Sequence, residues 1–173
     1  MNITVTRESV PSSDGIHTLI GKTYIPEGKI KGLFHVVHGM TEHIDRYDGF
    51  MHEIAEQGYI CFGYDHLGHG KTVNSTDELG FIAHKDGWNY LAKDVSVFAF
   101  EMKKKYGDYL PYYLMGHSMG SFLARRYLIY HGERVDGAVL IGTGQQPFLV
   151  VKLGLLTVWA GKLLKGGREG KSR

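Results

Sequence analysis

The residues best placed to do chemistry are Gly116-His117-Ser118-Met119-Gly120, which follow an apolar run from Leu110 to Met115 and precede a helix-like run from Ser121 to Tyr130. A serine between two glycines at a strand-to-helix turn is the pattern of a nucleophile elbow. Such a turn strains the serine backbone and brings strand and helix so close that a flanking side chain would collide, which accounts for Gly116 and Gly120. The Ser118 hydroxyl would stand at a helix N-terminus, where unpaired N–H groups and the positive end of the helix dipole can hold an oxyanion. In a chain with 24 glycines the five letters alone carry little weight, and the reading rests on the strand before them and the helix after.

A second stretch completes the chemistry. His38-Gly39-Met40-Thr41-Glu42-His43 directly follows the short apolar run at 33–37. In an elbow hydrolase one oxyanion donor is the backbone N–H after the serine, here Met119, and the other comes from the loop after an earlier strand, here Met40. Gly39 lets that backbone turn toward the serine, and His38, Glu42 and His43 are expected to support the loop. His117 precedes the serine and, by strand alternation, should point away from it. Asp65 opens a tight loop, Asp65-His66-Leu67-Gly68-His69-Gly70, whose polar side chains are expected to hydrogen-bond within it.

Rival chemistries fit less well. His66-x-x-His69 and His35-x-x-His38 have ligand-like spacing, but glycine interrupts the first pair and odd spacing sends strand side chains to opposite faces, so no metal is expected. Gly70-Lys71-Thr72 has the ending of a phosphate loop, yet Asp65 stands where that pattern needs glycine and would repel phosphate. A net charge of +2, with no concentrated basic stripe before the last dozen residues, argues against nucleic-acid binding. The single cysteine, Cys61, sits in an apolar run as a small hydrophobe, and the N-terminal residues lack a signal-peptide pattern. A cytoplasmic protein without cofactor is expected.

Positioning these loops requires a sheet. Runs at 3–10 and 16–26 around Pro11-Ser12-Ser13-Asp14-Gly15 predict an antiparallel hairpin. Thereafter strands at 33–37, 59–64, 110–116 and 135–142 alternate with helical segments: Asp45 to Gln57, one carrying Trp88, Leu91, Val95, Phe98, Met102 and Tyr106 at steps of three and four, and the run from Ser121 to about His131. This alternation predicts an α/β fold, a mostly parallel sheet with helices on both faces. The core is expected over 1–145. Residues 146–173 are read as the start of a lid, apolar over 148–164, with a flexible basic tail from Lys165 to Arg173. The 148–164 segment is a candidate for peripheral membrane contact, and the 135–142 strand for self-association.

His-Gly-Met-Thr-Glu-His at 38–43, Tyr-Asp-His-Leu-Gly-His-Gly at 64–70 and Gly-His-Ser-Met-Gly at 116–120 resemble, in order and spacing, the α/β-hydrolase fold. More narrowly they resemble its monoacylglycerol lipase and lysophospholipase branch, of the serine aminopeptidase S33 type. The resemblance implies a serine esterase acting on a small ester or lipid, with Ser118 as nucleophile, the Met40 and Met119 amides as oxyanion hole, and a lid after the 135–142 strand. It also implies an order of serine, then acid, then histidine. After Ser118 the only histidine is His131 and the only aspartate Asp136. His131 lies a whole helix away, roughly 20 Å at 1.5 Å per residue, and Asp136 sits at the wrong end of its strand. The chain is therefore expected to be the N-terminal part of a longer hydrolase, truncated before the last strands, with acid and base in roughly 80–110 further residues. A thioesterase or peptidase parent, and a non-catalytic fragment that binds lipid or a partner, remain open at this point.

Overall fold

The computed structural model describes residues 2–164. β1 (Ile3–Pro11) and β2 (Thr18–Pro26) form the antiparallel hairpin, with Ile3 opposite Pro26 and Pro11 opposite Thr18. Its turn is held by Asp14, whose Oδ1 accepts from the N–H groups of Ile16 and His17, both at 2.9 Å. Short acceptors of this kind let a backbone reverse without stranding its donors.

Four more strands complete one sheet: β3 (Gly32–Val37), β4 (Tyr59–Tyr64), β5 (Tyr112–His117) and β6 (Gly137–Ile141). Their order is β1-β2-β4-β3-β5-β6, with β4, β3, β5 and β6 mutually parallel and β2 antiparallel to β4. β3 and β4 are buried along almost their whole length, as central parallel strands covered on both faces should be.

Helices cover both faces. α2 (Gly87–Tyr106) and α3 (Met119–His131) pack Leu91, Val95, Phe98, Leu123 and Tyr127 against Leu33, Phe62, Tyr112 and Leu114. α1 (Asp48–Glu56) packs Met51 and Ala55 against Val36, Cys61 and Met115 on the other face. Period-two alternation in the strands produces this division, since neighbours in sequence such as Cys61 and Phe62 serve opposite cores. The helix expected over Asp45 to Gln57 is a 3-10 turn, Ile44–Tyr47, followed by α1. Asp45, in that turn, is bound by Lys22 and Lys71.

The chain divides into two compact units between Thr143 and Gly144. The second contains α4 (Phe148–Leu164), a 17-residue helix that exposes Phe148, Leu149, Leu155, Val158 and Trp159. No helix among the described residues is long and apolar enough to cross a membrane. The tail expected to be flexible, Lys165 to Arg173, lies outside the described residues.

Candidate active site

The parallel register brings the two chemical loops together. Val37, the last residue of β3, lies opposite Gly116 of β5, so the chain leaves both strands at the same edge of the sheet. β5 ends at His117, and α3 begins at Met119. Between them Ser118 has φ 51° and ψ −119°. A side chain at positive φ is held there only by surrounding structure, and Asp86 is the other non-glycine described residue with positive φ.

What holds the bend is close packing. A Cβ on Gly116 would run into the Gly120 carbonyl and come within 2.8 Å of the Ala124 Cβ. One on Gly120 would run into the Val37 carbonyl and lie 2.5 Å from the His38 carbonyl. Strand, helix and neighbouring loop thus touch backbone to backbone. Ser118 N–H donates to the Ile141 carbonyl at 2.8 Å, and Ser121 Oγ donates to the Ser118 carbonyl at 2.6 Å. As the first residue of α3, Met119 has an N–H with no partner inside the helix.

The 38–43 loop reaches the same place. A Cβ on Gly39 would stand 3.2 Å from the Ser118 Cβ and 2.6 Å from Glu42 Oε1, so a larger residue there would push the Glu42 carboxylate from its place. Gly39, Met40, Glu42, His117, Ser118 and Met119 line one cavity of ≈ 630 Å³. Its apolar wall comes from Ile82, Trp88, Leu91 and Phe122, and Arg46 stands at its side. These wall residues did not announce themselves as site residues in the sequence. Trp88 and Leu91 lie on the apolar stripe of α2, which reads as core, and nothing in the 71–83 segment marks Ile82.

Glu42 is the hub of the loop. Its Oε1 accepts from Gly39 N–H at 2.5 Å, Tyr47 OH at 2.8 Å and His117 Nδ1 at 2.7 Å. Partial burial pushes the carboxyl pKa up, but the bonds from His117, Tyr47 and Gly39 outweigh it and hold it below the ordinary glutamate value. His117, the last residue of β5 and paired there with Ile141, turns its ring to Glu42, and the residue lines the shared cavity. His43, expected to brace the loop, is exposed, and among the described residues its ring makes no hydrogen bond; its carbonyl accepts from Arg46 N–H at 3.1 Å. Asp65 is buried and accepts from Ile44 N–H at 2.8 Å and Lys71 N–H at 2.7 Å, tying the second histidine loop to the first. The ring nitrogens of His66 and His69 that make hydrogen bonds face backbone carbonyls.

His131 and Asp136 lie away from this edge. Asp136 Oδ2 accepts from Tyr112 N–H at the opposite end of β5, and His131 closes α3, its ring against Tyr127.

A mainly parallel sheet with a strained serine where the strand at its switch point meets a helix defines the α/β-hydrolase class. Solved structures agree. The chain matches a thermostable carboxyl esterase from Bacillus coagulans in complex with glycerol at 32% identity and TM-score 0.76, over 92% of this chain and 52% of that one. It matches a lipase in open form at 25% identity and TM-score 0.77, over 91% and 51%. Within the class the chain belongs to the family described as serine aminopeptidase, S33, whose model matches residues 28–166. Among curated relatives, the monoglyceride lipase of Mus musculus is 30% identical over 143 residues, 79% of this chain and 45% of that protein. The chain thus spans about half the length of the relatives it matches.

Proposed function

We propose that this chain carries the nucleophile and oxyanion hole of a serine hydrolase that cleaves carboxylic esters of lipids such as monoacylglycerols or lysophospholipids. The observation that carries the reading is the convergence of Gly39, Met40 and Met119 on a strained Ser118 in one cavity with an apolar wall. The Ser118 hydroxyl attacks the ester carbonyl and the Met40 and Met119 amides take the negative charge that develops on its oxygen; the ester C–O bond then breaks, the alcohol leaves carrying the proton lost by the hydroxyl, and water releases the acyl group from the serine as the acid. The apolar wall suits an acyl chain, and the esterase and lipase relatives favour esters over thioesters or peptides. No cofactor enters this chemistry. Without a base the hydroxyl is a poor nucleophile, so the reading assigns acid and histidine to sequence outside these residues and expects this chain alone to turn over very little substrate. The apolar, lysine-bearing α4 is read as a lid segment that meets the lipid surface, and the buried thiol of Cys61 suits the cytoplasm.

The test compares p-nitrophenyl butyrate turnover by this chain with that of the polypeptide continued past Arg173. The reading expects activity only in the longer protein and its loss in Ser118→Ala. Rapid turnover by the short chain would show that a base lies within it, and an active Ser118→Ala would remove the serine from the mechanism. A non-catalytic role has one observation in its favour: β6 leaves Val139 and Ile141 about half exposed on an edge strand, a surface suited to self-association. Stable oligomers of this chain with no esterase activity in the longer protein would favour it.

A further inference from the structure

Three successive carbonyls of the loop after β3 each meet a different imidazole. His66 Nε2 lies 3.1 Å from the His38 carbonyl, His38 Nδ1 2.7 Å from the Gly39 carbonyl and His69 Nε2 2.5 Å from the Met40 carbonyl. A carbonyl oxygen only accepts, so each facing nitrogen must carry a proton.

The second nitrogen of each ring then fixes its charge. His38 Nε2 accepts from the His66 N–H at 3.0 Å, so His38 is neutral and protonated at Nδ1. His66 Nδ1 is buried without a partner, and a proton there would be a stranded donor, so His66 is neutral and protonated at Nε2. His69 differs. Its Nδ1 faces a second carbonyl, that of Leu67, at 2.8 Å, so both of its nitrogens donate.

The three rings lie close together. The His38 ring centroid is 4.1 Å from that of His66 and 5.3 Å from that of His69, and all three residues are buried. Burial holds His38 down to about 4, with the His69 ring adding to the effect. Burial likewise holds His66 well below the ordinary value. The same two loops supply the carboxylates of Glu42 and Asp65 and the ammonium of Lys71, the last paired with Asp45. His35, on β3, is neutral by burial, and His43 is exposed.

We infer that His38, His66 and His69 are positioning residues for the oxyanion loop, each pinning one peptide plane, with His69 held as an imidazolium beside the Met40 carbonyl. This rests on the assignment of the Met40 amide as an oxyanion donor. The His38 bond matters most for that donor, because it falls on the carbonyl of the Gly39–Met40 peptide. A proton donated to a peptide oxygen draws electron density from its nitrogen and makes the N–H a stronger donor. The imidazole thereby both orients and polarises the group that would receive the negative charge.

The experiment is a long-range ¹H–¹⁵N correlation of the histidine rings in the labelled chain at neutral pH, followed by base-catalysed exchange of the Met40 amide proton. The expected pattern is His38 protonated at Nδ1 alone, His66 at Nε2 alone and His69 at both nitrogens. A neutral His69, or His38 protonated at Nε2, overturns the assignment in the wild-type chain, with no variant required. An asparagine amide stands where Nδ1 stands and a glutamine amide where Nε2 stands. His38→Asn should therefore keep the wild-type exchange rate of Met40 N–H, while His38→Gln slows it about 2- to 10-fold, the range of one lost hydrogen bond. Equal rates in the two variants overturn the polarising role. Neither readout needs turnover, so failure of the hydrolase reading would show separately, as a longer protein without esterase activity.

Discussion

Gly120→Ala tests the packing that shapes the site, because chemistry and stability pull in opposite directions there. Gly120 is the second residue of α3, and glycine in a helix costs roughly 0.5–1 kcal/mol relative to alanine. Gly49 holds the same place in α1, is exposed, and has open space where a Cβ would stand. Gly49→Ala should therefore stabilise the chain by up to about 1 kcal/mol. At Gly120 the new methyl meets the carbonyls of Val37 and His38 at distances real Cβ atoms do not adopt. Those are backbone atoms at the root of the oxyanion loop, and they cannot swing aside as a side-chain tip would. Overpacking of this kind costs about 1–3 kcal/mol, which outweighs the helical gain. The net loss, up to about 2.5 kcal/mol, should lower Tm by up to roughly 10 °C in a chain of this size. Paired thermal melts read the result. A Gly120→Ala protein that melts above wild type, as Gly49→Ala should, would refute the close approach of α3 to the loop.

Acid should weaken the fold through His35, which burial holds down to about 3. Between that value and the ordinary 6.5 the unfolded chain takes up a proton that the native chain refuses, so stability falls as pH drops through this window, by about 2 kcal/mol from pH 6.5 to 4.5. Urea unfolding across this range should show a flatter slope in His35→Asn, whose amide keeps a polar group facing Tyr112 OH where Nδ1 stood; an unchanged slope would exclude His35 as the cause. Glu42→Gln should cost about 1–2 kcal/mol at pH 7, because three donors lose a charged acceptor. Since hydrogen bonding holds the folded pKa of Glu42 below the ordinary value, this stability is present above about pH 4.5 and vanishes as pH falls through the folded value. The difference between the two proteins in urea melts should shrink accordingly.

Most of the architecture was legible because each element is announced locally. Asp14-Gly15 marks the hairpin turn, the Leu91-Val95-Phe98-Met102 spacing marks α2, and short apolar runs mark the parallel strands. Topology was less direct: alternation of strand and helix predicts a parallel sheet but not which strands are neighbours, and the pairing of β3 with β5 that sets Val37 opposite Gly116 comes from the structure. The cavity wall was hidden because residues such as Trp88 and Phe122 share their periodicity with ordinary core positions. The carbonyl contacts of His38, His66 and His69 could not be read from letters at all. They depend on two loops, about 28 residues apart in sequence, lying against each other in space.

The central claim is that the oxygen of a tetrahedral adduct on Ser118 is received by two backbone amides. A crystal structure of the chain after prolonged exposure to a fluorophosphonate tests this most directly, since slow reaction does not matter to the geometry of the product. The account predicts phosphorus bonded to Ser118 Oγ and its non-ester oxygen about 2.7–3.1 Å from the nitrogens of both Met40 and Met119. An adduct on another residue, or an oxygen turned to solvent away from those amides, would contradict it.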